Sequence, residues 1–390
     1  MKKKIAIIGS TGSIGKTTFN IIKKNKNNFE VVLLTTNKNI KEIIKQTRQV
    51  KVRNILVCSK PHYLNLKKKL KNKNIRIFNN FNDLNKIIRK KLDYTMCSIT
   101  GLAGLKPTID CIKFTKTIAI ANKESIICAW NLIQKKLTKH KTQFIPVDSE
   151  HFSINSLLES KPISSVDEII ITASGGPFLN VPKNKFYKIK PKDAIKHPNW
   201  RMGKKISIDS STLMNKVFEV IEAQKIFGIN FKKFRVLTHP KSYVHAIIKF
   251  KNGLTKILIH DTDMKIPIFN SIFNNYNNHL KTKKLDYKKI NNLDFNKIDS
   301  NKFPSIKILN KLNNKNTLFE TVLVSANDEL VDLFLKGMIK FTDITRILIK
   351  ILNNKKYKRY QQITPNNYKQ ILSLDEYVRL KTRALSVLSK

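Results

Sequence analysis

The feature that most constrains the fold is a glycine turn near the start of the chain, between an apolar run and a helical pattern. Residues Ile5 to Ile8 are typical of a buried strand, and Gly9-Ser10-Thr11-Gly12-Ser13-Ile14-Gly15 follows directly. A helix is predicted from about Lys16 to Lys24. Glycines at this spacing let the backbone approach a pyrophosphate, whose charge is favoured at a helix N-terminus. The turn predicts dinucleotide binding, although an ordinary glycine-containing βα turn has the same pattern.

Further apolar runs extend this unit into a sheet. They lie at 29–34, 55–57 and 117–121, and helical patterns separate them. Short strands that alternate with helices are typical of a parallel, doubly wound sheet. We therefore predict an α/β, Rossmann-like dinucleotide-binding domain over residues 1–150.

The end of the second predicted strand favours one dinucleotide over the other. An NAD site usually has an acid there to hold the ribose 2′-hydroxyl, whereas this chain has Thr35-Thr36-Asn37-Lys38-Asn39. No acid repels a 2′-phosphate, and Lys38 is placed to pair with one. The sequence thus favours NADPH over NADH.

The rest of the chain has a different texture. Strands are predicted at 168–172, 235–238 and 256–260, with a loop at 196–203 that carries Pro, Gly, His and Trp. This pattern predicts a central α+β domain over residues 151–290 with a mobile lid loop. A C-terminal helical domain is predicted over 291–390.

Charge and cysteine content limit the classes of function. Seventy-five Lys and Arg against 27 Asp and Glu give a net charge of +48, but these residues are spread through almost every segment. The sequence has no stripe of basic and aromatic residues of the kind that indicates specific nucleic-acid binding. A positive surface selected to bind polyanions stays open as an alternative. Four cysteines without Cys-x-x-Cys spacing favour reduced thiols in a cytoplasmic protein. No apolar stretch is long enough to cross a membrane.

Carboxylates in two segments are candidate metal ligands. Asp148 and Glu150 alternate, so they would point to one side of an extended segment, and their oxygens suit Mg²⁺ or Mn²⁺. If the region of Asp209 and Ser210 caps a helix, Asn215 and Glu219 lie one turn apart on one face, with Lys216 beside them. Solvated loop and helix positions explain the same residues without a metal.

Three other segments are candidates for ligand contacts. Ser174-Gly175-Gly176 is a possible anion turn with free backbone N–H groups. Lys123 and Glu124 follow a predicted strand, where parallel sheets bind ligands, although a surface ion pair fits equally well. His197 and Trp200 are candidate lid residues that would exclude water.

Taken together, these motifs closely resemble one enzyme family over essentially the full length. The segments that carry the resemblance are Gly9–Gly15, Ala121-Asn122-Lys123-Glu124-Ser125, Pro146-Val147-Asp148-Ser149-Glu150-His151, Ser174-Gly175-Gly176-Pro177-Phe178, His197-Pro198-Asn199-Trp200, Met214-Asn215-Lys216 and Phe341-Thr342-Asp343-Ile344. Their order and spacing match the 1-deoxy-D-xylulose 5-phosphate reductoisomerase family.

The resemblance implies a homodimeric enzyme of the non-mevalonate isoprenoid pathway, with catalysis and dimerisation in the central domain. It implies conversion of 1-deoxy-D-xylulose 5-phosphate to 2-C-methyl-D-erythritol 4-phosphate with NADPH and Mg²⁺ or Mn²⁺. The implied metal ligands are Asp148, Glu150 and Glu219, and the implied catalytic residues are Lys123, Glu150 and His197. The implied substrate contacts are Lys123, Ser149, Glu150, Ser174, His197, Ser210, Asn215, Lys216 and Glu219. The implied cofactor contacts are Thr11, Gly12, Ser13, Ile14, Lys38, Asn39, Asn122, Glu124 and Gly203.

Some positions depart from the family pattern, namely Asn37, Arg201, Val217 and the segment His260-Asp261-Thr262. None of them removes an implied ligand. Two rival functions stay open at this point: another NADP-dependent oxidoreductase acting on a small phosphorylated carbonyl compound, and a basic nucleic-acid-binding protein.

Overall fold

The structure is a computed structural model that describes residues 1–71, 74–200, 202–273 and 278–387. The chain divides into two compact units. The first comprises residues 1–125, 132–148 and 264–281, and the second comprises 126–131, 149–263 and 282–390. The three-domain division made from the sequence stays a prediction.

The first unit is built on a seven-stranded parallel sheet. Its strands are β1 (Lys3–Ile8), β2 (Phe29–Thr36), β3 (Val52–Val57), β4 (Arg76–Phe78), β5 (Leu92–Cys97), β6 (Thr115–Ile120) and β7 (Gln143–Pro146). Their order is β4-β3-β2-β1-β5-β6-β7, so the chain winds in one direction from β1 and then in the other from β5. Ligands of such sheets bind outside the carboxyl ends of the strands at this reversal point. The glycine turn follows β1 there.

The second unit contains a mixed five-stranded sheet. Its strands are β8 (Val166–Ala173), β9 (Phe234–Thr238), β10 (Val244–Phe250), β11 (Thr255–Ile259) and β12 (Asn296–Lys297). The order is β11-β10-β8-β9-β12, and β8 and β9 form its parallel pair. Buried Ile169, Ile171 and Ile248 contribute to the core on which this sheet rests.

The helices connect and cover these sheets. Through residue 158 they are α1 (Ser13–Lys24), α2 (Ile40–Gln49), α3 (Lys60–Lys69), α4 (Leu84–Ile87), α5 (Leu105–Ile112), α6 (Lys123–His140) and α7 (Ser149–Leu158). They continue as α8 (Pro191–Ala194), α9 (Lys204–Ser211), α10 (Met214–Phe227), α11 (Lys265–Ile272), α12 (Tyr287–Asn291), α13 (Phe319–Leu335), α14 (Phe341–Asn353), α15 (Lys355–Lys358) and α16 (Tyr368–Val387).

The predicted fold class is confirmed: a parallel Rossmann-like sheet, a second unit with its own sheet and a helical C-terminal region. Helix α1 begins at Ser13 rather than at Lys16, because Gly12 is its N-cap and the last glycine of the turn lies inside its first turn. Within the described ranges, no helix is long and apolar enough to cross a membrane. Cys97, Cys111 and Cys128 are buried and Cys58 is exposed, and none of these four cysteines forms a disulfide.

Candidate active site

The glycine turn is held by close contacts within the first unit. Gly9 has a φ of +90°, which side chains disfavour, and its N–H donates to Thr35 Oγ1 at 2.7 Å. A Cβ on Gly15 would lie 2.2 Å from the carbonyl oxygen of Gly9. A Cβ on Gly12 would lie at an ordinary 3.5 Å from that oxygen. The two outer glycines are therefore required by the protein's own backbone, whereas the exposed Gly12 is not.

The end of β2 supports the turn with hydroxyl groups. Thr11 Oγ1 and Thr36 Oγ1 share a hydrogen bond of 2.9 Å, and Thr36 is buried. Lys38 and Asn39 are exposed directly beyond β2, and Asn39 Oδ1 caps α2 by accepting from Glu42 N–H at 3.1 Å. The positive Lys38 thus follows a strand end that carries no acid. Ser13 and Ile14 lie in the first turn of α1.

A second group in the first unit surrounds the start of α6. Asn122 is its N-cap, and its Oδ1 accepts from Ser125 N–H at 2.6 Å while its Nδ2 donates to Gly101 O at 2.8 Å. Glu124 accepts from Gly101 N–H at 3.3 Å. The Lys123 ammonium is paired with the Asp148 carboxylate. These contacts lie at the carboxyl edge of the parallel sheet, where the sequence predicted Lys123 and Glu124, and they bring Asn122 and Asp148 to the same edge.

A buried cluster of opposite charges is the core of the site in the second unit. Lys216 Nζ lies 2.5 Å from Glu150 Oε1 and also contacts Glu219 Oε2. Asn215 Nδ2 donates to the same Glu219 carboxylate, and Ser149 Oγ donates to Glu150 Oε2 at 2.7 Å. Burial opposes the charge on Lys216, but the two carboxylates outweigh it, so the pKa of Lys216 lies above its ordinary value.

Three carboxylates form a candidate metal centre. Asp148 immediately precedes the second unit, and Asp148, Glu150 and Glu219 each offer a ligand oxygen within 4.8 Å of the others. The sequence predicted this set, but its reason for pairing Asp148 with Glu150 was wrong. Helix α7 begins at Ser149, so Glu150 is helical rather than part of an extended segment. Carboxylate oxygens alone suit a hard divalent cation such as Mg²⁺.

The candidate anion turn packs directly on α9. Gly175 and Gly176 have φ values of +82° and +66°, and Ser174 Oγ accepts from Gly176 N–H at 3.1 Å. A Cβ on Gly176 would lie 2.9 Å from the carbonyl oxygen of Ser210. The turn and the Ser210 backbone are thus in contact.

The predicted helix cap at Asp209 and Ser210 is wrong. Both residues lie inside α9, and α10 starts only after Leu213, whose φ of +60° separates the two helices. The expected placement of Asn215 and Glu219 on one face of α10 still holds, because their side chains are hydrogen-bonded.

The lid candidate His197 is fixed by its neighbours. Its Nε2 lies 3.0 Å from Ser174 Oγ, and its Nδ1 accepts from the backbone N–H groups of Asn199 and Trp200 at 3.2 and 2.9 Å. Burial, helped by the Lys216 charge, lowers the pKa of His197 to about 4, so the imidazole is neutral. Gly203 is the exposed N-cap of α9, and Arg201 lies outside the described residues.

Sequence reasoning missed a buried histidine pair beside this site. His245 and His260 are stacked with ring centroids 4.0 Å apart, and the Trp200 ring lies 5.9 Å from that of His245. Burial lowers the pKa of both imidazoles, that of His245 to about 3. Recognising β10 in the sequence would have indicated this pair, because His245 lies in that strand; β10 was not predicted. His151, to which no role was assigned, contacts the Glu219 carbonyl oxygen at 2.8 Å.

Family comparisons cover most of the chain in three ranges. Residues 5–130 match 1-deoxy-D-xylulose 5-phosphate reductoisomerase, residues 144–227 match the C-terminal domain of the same family, and residues 259–381 match a DXP reductoisomerase C-terminal domain.

Individual relatives are similar over their full length. The 1-deoxy-D-xylulose 5-phosphate reductoisomerase of Pelagibacter ubique (strain HTCC1062) is 57% identical over 387 residues, 99% of this chain and 100% of the relative. That of Sulfurihydrogenibium sp. (strain YO3AOP1) is 37% identical and covers 92% of this chain and 93% of the relative.

Solved structures agree with these relatives. The Zymomonas mobilis enzyme in complex with NADPH has a TM-score of 0.87 at 31% identity, over 99% of each chain. A DOX-P reductoisomerase in complex with NADPH, fosmidomycin and magnesium has a TM-score of 0.90 at 29% identity, over 99% of this chain and 98% of that one.

The doubly wound sheet with its glycine turn, together with the buried cluster of carboxylates, defines an oxidoreductase of the dinucleotide-dependent class. The comparisons narrow this class further. The chain belongs to the 1-deoxy-D-xylulose 5-phosphate reductoisomerase family.

Proposed function

We propose that this protein converts 1-deoxy-D-xylulose 5-phosphate to 2-C-methyl-D-erythritol 4-phosphate by isomerisation and reduction, with NADPH and a divalent metal. The observation that carries this proposal is the set Asp148, Glu150 and Glu219, with Lys216 against two of its members. A simple hydride-transfer enzyme has no need of three converging carboxylates. A reaction that rearranges the carbon skeleton of a sugar phosphate does need charge stabilisation at adjacent oxygens.

The carboxylate set fits Mg²⁺ or Mn²⁺. Its donors are all oxygens, and Glu150 and Glu219 are only 7% and 1% exposed, so their two charges need compensation, of which the single Lys216 ammonium supplies a part. The metal, when bound, supplies Lewis-acid polarisation of the substrate carbonyl. Ser149 and Asn215 orient the carboxylates of Glu150 and Glu219 by donating to them. Lys216 limits the net negative charge of the cluster.

Residues of the second unit supply an anion-binding region for the substrate phosphate. Ser174 belongs to the glycine turn that packs on the Ser210 backbone, and Asn215 and Lys216 occupy the first turn of α10. His197 is neutral and its Nδ1 accepts backbone N–H groups, so its Nε2 carries the proton and donates. Binding energy from the phosphate positions the reacting end of the substrate and closes the lid.

The cofactor set belongs mainly to the first unit. The turn at Thr11, Gly12, Ser13 and Ile14 would hold the pyrophosphate of NADPH at the N-terminus of α1, and Lys38 with Asn39 would contact the 2′-phosphate. Asn122 and Glu124, at the start of α6, would contact the cofactor as well, and the family resemblance adds Gly203, the N-cap of α9, to the cofactor contacts. Lys123 pairs with Asp148 and lies at the same strand edge, where it contacts the substrate and takes part in catalysis.

The test is a coupled measurement of substrate, cofactor and metal. Purified protein with NADPH, Mg²⁺ and 1-deoxy-D-xylulose 5-phosphate should lose absorbance of the reduced nicotinamide, and EDTA should stop the loss until Mg²⁺ or Mn²⁺ is restored. NADH should be used poorly, and Lys38→Ala should narrow the preference for NADPH. Turnover that resists EDTA favours instead another NADP-dependent enzyme acting on a phosphorylated carbonyl compound.

We also propose that the protein is a cytoplasmic homodimer that pairs through β11. This strand is at one edge of its sheet, and Leu254 and Ile257 beside and within it are 58% and 44% exposed. An edge strand with exposed apolar residues is a template for pairing with a second copy. Light scattering should give twice the chain mass for the wild type and the chain mass for Ile257→Lys. A monomeric wild type would contradict the proposal.

A further inference from the structure

A chain of polar contacts runs from the C-terminal helices to the residue next to Ser210. Asp209 is 1% exposed, and its carboxylate accepts from Asn327 Nδ2 at 2.7 Å and pairs with Lys205 Nζ at 2.9 Å. Lys205 also lies 2.9 Å from Asp328, which in turn pairs with Arg379 Nη2 at 2.9 Å. Helices α9, α13 and α16 are thereby joined by one charged network within the second unit.

The network holds α9 in position through contacts with α13. Helix α9 has only two turns, and it lies between the loop that carries His197 and the left-handed Leu213 that starts α10. Isolated helices of this length are unstable in water, so tertiary contacts must hold it. Lys205 adds a contact to α10, because its Nζ lies 5.0 Å from the Phe218 ring centroid.

The buried charge of Asp209 makes the contacts of this network important for stability. A carboxylate that is 1% exposed is costly unless hydrogen bonds and a cation compensate it, so Asp209 stays where Asn327 and Lys205 can reach it. Ser210 is adjacent in the chain, and its carbonyl oxygen is within 2.9 Å of where a Gly176 Cβ would be. A shift of Asp209 therefore moves Ser210 against the Ser174 turn.

We propose that Asp209 is a positioning residue through which α13 and α16 set the phosphate-binding geometry of Ser210 and Ser174. This assigns the C-terminal helices a part in substrate affinity. The inference rests on the proposed function only for the identity of the substrate, since the affinity for a phosphate group can be measured without turnover.

The experiment compares two variants with a matched control. Asp209→Asn removes the negative charge with little change in side-chain volume. Arg379→Met removes the ion pair at the other end of the network, where the Arg379 side chain is 30% exposed. Arg383→Met is the control, because Arg383 pairs with Glu329 at 2.7 Å between the same two helices and is no part of the network. The readouts are KM, kcat, NADPH affinity and binding of inorganic phosphate by calorimetry.

Asp209→Asn should raise KM and weaken phosphate binding about 10- to 100-fold, the upper value being the effect of an ångström-scale displacement of a binding group. NADPH affinity should be unchanged. Arg379→Met should show a smaller effect in the same direction, and Arg383→Met none. Unchanged phosphate binding in Asp209→Asn and Arg379→Met would overturn the proposal, as would an equal effect of Arg383→Met. A wild type that binds phosphate but does not turn over the substrate would overturn the proposed function alone.

Discussion

Replacing Gly15 by alanine tests the interpretation of the glycine turn. The added Cβ would lie 2.2 Å from the Gly9 carbonyl oxygen and 2.6 Å from Ser10 Cα, whereas real Cβ contacts essentially never fall below 3.0 Å. The turn must therefore open by about 0.8 Å, the difference between 3.0 and 2.2 Å. Both obstructing atoms are backbone, so no side chain can rotate away to relieve the contact.

The size of the effect follows from that displacement. Overpacking of this kind costs about 1–3 kcal/mol of stability. A shift approaching 1 Å at a binding site costs about 100-fold in affinity, which corresponds to about 2.7 kcal/mol. We expect Gly15→Ala to weaken NADPH binding by about that factor and to lower the melting temperature.

Fluorescence titration with NADPH measures the binding, and circular dichroism measures the melting. Gly12→Ala is the matched control, because its Cβ would be 3.5 Å from the same oxygen, so it should lower the melting temperature much less than Gly15→Ala, by the small cost of alanine at an N-cap. Any loss of NADPH affinity in Gly12→Ala would then report how closely the cofactor approaches that residue. Wild-type NADPH affinity in Gly15→Ala would refute the account of the turn.

Three further predictions concern the second unit. Glu219→Gln should raise the Mg²⁺ concentration needed for half-maximal activity by at least about tenfold with NADPH affinity unchanged; equal Mg²⁺ curves would remove Glu219 from the metal set. Because the pKa values of His197 and His245 lie below the ordinary histidine value in the folded protein, the unfolded chain binds protons first as the pH falls. The melting temperature should thus be insensitive to these groups above about pH 6.5 and fall between about pH 6.5 and 3, less steeply in His245→Gln. Lys225→Met should cost about 3–5 kcal/mol in denaturant unfolding, because it leaves the buried Glu320 carboxylate without its cation, while Lys249→Met, from an exposed pair, should leave the unfolding curve nearly unchanged.

Four of the seven strands of the first unit, β1, β2, β3 and β6, were predicted because their signals are local, whereas β4, β5 and β7 were missed. The strand at β1, the glycine turn and the helix after it follow one another in the sequence, and each has a pattern that depends on neighbouring residues alone. The metal set was recognised from residue types and from the family resemblance. The geometric reason given for it was wrong, because the start of α7 at Ser149 depends on tertiary contacts that no short pattern records.

The second unit was less predictable because its key contacts join distant positions. Asp209 and Asn327 are 118 residues apart, and the pairing of His245 with His260 depends on the register of two antiparallel strands. Strand β10 is buried on both sides except at Lys249, so it lacks the alternation that identifies a half-exposed strand. Leu213 separates α9 from α10 in a left-handed conformation that leucine rarely adopts, so its sequence gives no warning of the break.

The hydroxyl pair of Thr11 and Thr36 has a consequence for redesign of the cofactor preference. An acid at position 36, introduced to favour NADH, would remove the Thr36 hydroxyl that is hydrogen-bonded to Thr11 in the glycine turn. The substitution would therefore disturb the backbone that binds the pyrophosphate of either dinucleotide. Asn37 and Lys38 are exposed and lie one and two residues further on. Laboratory evolution toward NADH should therefore accumulate changes at those two positions and leave Thr36 untouched.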